Sequence, residues 1–161
     1  MSSPIGMRID KIRAPVVVTM ADGSELRGDI YLANNTPRGG SQAPIDVFSS
    51  GVKFVPLMPA AADNVLLLNV DAVSSVLIEV AEPSWSDSQD FLPRNRVAVV
   101  MSDGREIEGL LPLDYPSESP RVSDVANNLA AFFQVETAQG NVIIGTRHIR
   151  SIQDRGAETL E

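Results

Sequence analysis

His148 is the single histidine of the 161-residue chain and stands beside Arg147 in "GTRHIRSI". An imidazole titrates near neutral pH, so this turn could act as a base or as a pH-sensitive contact. A metal centre would need further His or Cys ligands, and the chain has no cysteine. The stretch "LDYPSESPRVSD" gathers Asp114, Glu118 and Asp124 with Ser117 and Ser119. Paired carboxylates can bind a divalent cation or work as acid and base. Their spacing is not that of a calcium loop, however, and Pro116 and Pro120 mark an exposed connection. Ser119-Pro120 has the form of a phosphorylation dipeptide. "TPRGGSQAP" offers two glycines and Arg38, but not the strand-to-helix setting or the Lys-Ser/Thr ending of a phosphate loop. Nowhere do a nucleophile, a base and an orienting group converge. The chain reads as a non-enzyme with no cofactor and no metal. The polar residues left as candidate interaction sites are Asp46, Asp124, Asn127, Asn128, Arg147 and His148.

Those residues are positioned by elements that occur twice. "VVVTMADGSELRGDIYLA" (Val16 to Ala33) and "VAVVMSDGREIEGLLPLD" (Val97 to Asp114) align without a gap. Asp22 matches Asp103, Gly23 matches Gly104, and Gly28 matches Gly109, each pair 81 residues apart. In the first copy Leu26, Gly28, Ile30 and Leu32 fall on one side of an extended strand, and charged residues alternate with them. Asp-Gly is the pair suited to a two-residue hairpin turn. The mid-strand glycine signals a sharp bend or a close backbone approach.

Fainter likeness continues downstream. "DVFSSGVKFVPL" (Asp46 to Leu57) aligns with "DVANNLAAFFQV" (Asp124 to Val135), and "NVLLLNVDAVSSV" with "NVIIGTRHIRSI". Asp46 and Asp124 are expected to cap a single helical turn over one end of each unit, with Phe54 and Phe132 filling the core. Short polar turns of this kind also often face ligands, which is why they count as candidate sites. No long amphipathic helix is present. The repeat divides the chain into a first unit at 1–82, a linker at 83–92, a second unit at 93–153 and a frayed tail at 154–161. Trp85, the single tryptophan, is expected to clip the linker onto a unit.

Composition agrees with a packed β-protein. Hydrophobic residues make up 43% of the chain, charged ones 21% and aromatics only 5%, so the core rests on Val, Leu and Ile. The net charge is −8, and neither half is basic, which disfavours binding to phosphate backbones. No apolar run approaches a membrane span and no export core opens the chain, so a cytoplasmic protein is expected.

The two hairpins resemble the first motif of the Sm/LSm family: a hydrophobic strand, a D-G turn, and a return strand with a central glycine. "NVLLLNVDAVSSV" and "NVIIGTRHIRSI" resemble its second motif. The resemblance covers about two thirds of the chain, in two copies. It implies a mainly β fold of two tandem five-stranded small barrels with short helical turns. It further implies edge-to-edge joining, either within the chain as a pseudo-dimer or between chains as a ring. RNA-contacting positions are not carried over, because Asp29 and Glu108 lack the family's spacing and no Arg-Gly pair occurs in the second motif. The expected role is therefore an interaction, scaffold or regulatory module with protein partners, including further copies of the chain. An RNA-binding protein or RNA chaperone is the alternative.

Overall fold

A computed structural model describes residues 11–33, 42–79 and 92–158. The protein is mainly β. Strands β1 (Lys11–Met20) and β2 (Glu25–Ala33) form the first hairpin, followed by the short helix α1 (Pro44–Phe48). Then come β3 (Phe54–Pro59), β4 (Leu66–Asn69), a 3-10 turn at Val70–Ala72 and β5 (Val73–Ile78). The second copy runs β6 (Arg94–Met101), β7 (Glu106–Pro112), α2 (Val122–Ala126), β8 (Phe132–Thr137) and β9 (Gly140–Gly145). It ends with a 3-10 turn at Thr146–His148 and β10 (Ile149–Ala157). The linker expected at 83–92 lies, apart from Leu92, outside the described residues, as does Trp85.

Each hairpin closes differently from the two-residue turn that Asp-Gly leads one to expect. Gly23 N–H donates to Met20 O at 2.9 Å, and Met20 N–H donates to Ser24 O at 2.8 Å. The loop thus holds three residues, Ala21 to Gly23. Gly23 alone of these has positive φ, at 90°, the arrangement of a tight turn followed by a left-handed glycine. Asp22 contributes its side chain instead: its carboxylate accepts from Ser24 N–H at 2.9 Å and from Ser24 Oγ at 2.6 Å. The second hairpin repeats this, with Gly104 at φ 94° and Asp103 accepting from Arg105 N–H at 3.0 Å. The D-G pair therefore sets a turn through one backbone angle and one carboxylate.

The mid-strand glycines admit a close approach. A Cβ on Gly28 would lie 2.2 Å from the carbonyl oxygen of Met58 on β3, and one on Gly109 would lie 2.8 Å from that of Glu136 on β8. β2 and β3 can hydrogen-bond across Gly28–Pro59 to Ile30–Leu57 because no side chain intervenes.

All ten strands join one antiparallel sheet in the order β10-β6-β7-β8-β9-β5-β1-β2-β3-β4. The sequence repeat becomes a topological one: β5-β1-β2-β3-β4 in the first unit matches β10-β6-β7-β8-β9 in the second. Among the described residues the order is linear, with β4 and β10 at its ends, rather than two separately closed sets. Two apolar clusters follow the units. The first, however, contains Phe132 and Ile143, which belong to the second unit. Phe54 departs from expectation. It is 52% exposed, whereas Phe132 is 7% exposed and meets the ring of Phe48 of α1 in a tilted contact, centroids 5.8 Å apart. The frayed tail also departs: β10 extends past Gln153 to Ala157, which pairs with Asn95. Glu158 then ties to Arg94 through backbone and side chain, because Arg94 at the start of β6 offers both partners.

Gly28→Ala is expected to lower stability by about 1–3 kcal/mol, the range of overpacked cores, and Gly109→Ala by less. Urea midpoints of the two variants would show that order, and equal midpoints would contradict it.

Candidate interaction edges

Among the described residues the sheet has one internal joint between the units and two open ends. At the joint, β5 pairs antiparallel with β9, setting Ser75 opposite Ile144, Val76 opposite Ile143, and Leu77 opposite Val142. Arg147 and His148 lie here, on the 3-10 turn after β9. Arg147 Nη1 meets Asp71 Oδ1 at 2.9 Å, and His148 Nε2 lies 2.6 Å from the carbonyl oxygen of Asp71, where a protonated Nε2 donates. Arg105 reaches from the second hairpin to the hydroxyls of Ser74 and Ser75 at 3.3 and 3.2 Å. The two candidate residues from the sequence thus come together and act between the units. Their partner, Asp71, was not anticipated.

The helical candidates do local work. The N-caps are Ala43 and Arg121, so neither Asp46 nor Asp124 is itself the cap residue. Each sits three positions in and reaches back to the cap N–H, at 3.1 Å for Asp46 and 3.0 Å for Asp124, one half of a capping box. Asn127 and Asn128 donate to the carbonyls of Ser123 and Asp124, both at 2.8 Å, and so close the C-terminus of α2. The Arg121 N–H and guanidinium hold the Asp124 carboxyl below its ordinary 3.8. The Ser24 hydroxyl and N–H lower Asp22, and the Arg105 N–H and guanidinium lower Asp103. Each of these shifts comes from hydrogen bonds that fix a turn or a cap.

The open end at β4 has a different character. Leu66 and Leu67 on this strand are 40% and 60% exposed, and Val52, Val65 and Phe54 stand exposed beside them. An edge strand presents unpaired N–H and C=O groups, and natural edges are usually blunted by charge or irregularity. β4 has neither, whereas the opposite end, β10, presents Arg150, Ser151, Gln153 and Asp154 to solvent. Reading the sequence for polar groups passed over this edge. Its signal was three consecutive leucines in "NVLLLNV": a strand alternates its faces, so a run of three leaves at least one apolar side chain without a core.

No family model, curated protein or solved structure matches this chain. Among the described residues no helix is long and apolar enough to cross a membrane.

The turn carboxylates set an acid dependence. A carboxyl lowered in the folded state stabilises the fold above its ordinary value, and this is lost as pH falls through the folded-state value. Asp103→Asn should flatten the fall of the urea midpoint between neutral pH and pH below 3.8. An unchanged acid limb would contradict the role given to Asp103.

Proposed function

We propose that this chain is a non-enzymatic protein-interaction module, two Sm-like barrels in tandem, that assembles through the open ends of its sheet. The five-strand order repeated about the β5–β9 joint supports the tandem reading. The observation that carries the assembly reading is the uncharged, apolar β4 edge, which leaves Leu66 exposed on one face of the strand and Leu67 on the other, with Phe54 exposed on the neighbouring β3. Added strands are a common way for a sheet to take a partner: backbone hydrogen bonds supply adhesion and alternate side chains supply selectivity. Clusters of exposed apolar residues on a protein of this size mark contact surfaces. RNA binding finds less support, since a net charge of −8 repels phosphate backbones.

Light scattering tests the reading. The native chain should show a mass that rises with concentration above 17.3 kDa. Leu66→Lys combined with Leu67→Lys should hold it at that monomer mass. A native chain that stays at the monomer mass throughout, or a lysine variant that gains mass as the native chain does, would refute assembly through β4.

A further inference from the structure

Among the described residues, the face of the first unit that turns away from its core holds a cleft of about 540 Å³. That size lies within the roughly 300–1,000 Å³ of small-molecule sites. Antiparallel pairing builds it. Pro15 on β1 and Met58 on β3 oppose Asp29 of β2 from either side, so the three side chains leave the sheet on one face. Arg13 and Arg27 stand two residues along their strands and share that face. Ala14, Val16, Ile30 and Leu57 turn the other way, into the core.

The charges of the cleft are only partly spent. Arg27 Nη1 meets Glu79 Oε2 at 2.5 Å, a close pair. Arg13 Nη1 stands 3.9 Å from Asp29 Oδ2, beyond hydrogen-bond reach, and its side chain is 60% exposed. Asp63, in the turn after β3, lines the cleft and makes no hydrogen bond or ion pair among the described residues. In the second unit the same place is filled. Arg94 matches Arg13 in the aligned hairpins, and Glu136 matches Met58, each the fifth residue of its strand. Arg94 holds Glu136 at 3.5 Å and Glu158 at 3.0 Å, and its side chain is only 22% exposed. Where the second unit sets a carboxylate on its arginine, the first sets the apolar Met58 and leaves Arg13 available.

We propose that this cleft binds a zwitterion of amino-acid or dipeptide size. Its carboxylate would sit on Arg13, its ammonium on Asp63 and Asp29, and an apolar side chain over Met58 and Pro15. A guanidinium carries five donors in a planar fork that matches a carboxylate, and Asp29 occupies little of that fork. Ligands of a single sign fit less well. An anion alone would face Asp29, Asp63 and Glu79, and a cation alone would face Arg13 and Arg27, whereas a zwitterion answers both. None of these residues lies on β4 or β10, so the site is present in a single chain whether or not the edges assemble.

Amide chemical shifts of the full-length chain, titrated with alanyl-leucine, provide the test. The amides of Arg13, Gly28, Asp29 and Met58 should move and saturate, while those of Gly109 and Glu136 stay in place. N-acetyl-alanyl-leucine lacks the ammonium and alanyl-leucine amide lacks the carboxylate. Each should bind at least about tenfold more weakly, the cost of one charged hydrogen bond. Met58→Glu gives Arg13 the carboxylate that Arg94 has, and it should abolish the saturating shifts while the urea midpoint stays near that of the native chain. Asp63→Asn lies on an exposed turn where folding is little at risk. It should weaken alanyl-leucine and leave the acetylated peptide unaffected. Shifts that do not saturate at the cleft, or three peptides that bind alike, would overturn the inference. So would native affinity for alanyl-leucine in Asp63→Asn or in a folded Met58→Glu.

Discussion

The antiparallel joint of β5 with β9 is the contact on which the rest of the molecule depends. A five-stranded unit ends in an edge whose backbone groups and apolar side chains need cover. In this chain the second unit's β9 edge finds that cover on β5 of the first. The joint buries Ile143 and Val142, closes the first core with Phe132, and consumes Arg147 and His148 in holding Asp71. Among the described residues it also leaves the corresponding β4 edge of the first unit without a mate. Two cores, one linear sheet and one apolar end all follow from a single strand pairing.

Within each unit the closing strand is matched to its own hairpin by charge. Arg27 on β2 reaches across to Glu79 at the end of β5, and at the matched positions Glu108 on β7 reaches Arg155 on β10. The polarity is reversed between copies. Exchanging β5 and β10 would set Arg27 against Arg155 and Glu79 against Glu108. Such exposed pairs contribute about 0–1 kcal/mol each, so their value lies in which strand goes where. A duplicated chain has that problem by construction, since its two halves offer each other near-equivalent partners.

Much of this was legible in the residues. The 81-residue offset between hairpins located both pairs of long strands, and Gly28 and Gly109 marked the close approaches to β3 and β8. Asp22 and Asp103 identified the turns but not their length, because an Asp side chain that accepts from the residue two positions on favours the three-residue loop. Phe54 and Phe132 looked alike because their local patterns are alike. What separates them is a neighbour: among the described residues Phe132 has α1 of the other unit against it and Phe54 has no such helix, a fact of tertiary assembly that no local pattern carries. The polar candidates have structural partners of their own. Search for chemistry led to polar residues, and those proved to be caps and joint contacts, whereas the exposed edge is built from leucines.

Amide hydrogen exchange on β4, followed with protein concentration, bears on the central claim most directly. Among the described residues the amides of β4 that point away from β3 have no strand partner, and they should exchange freely when dilute. With rising concentration they should become protected toward the level of Val142 to Ile144 on β9, and amides of β10 from Ser151 to Gln153 should slow with them. Exchange on β4 that stays fast at every concentration, with the native chain monomeric, would contradict the account.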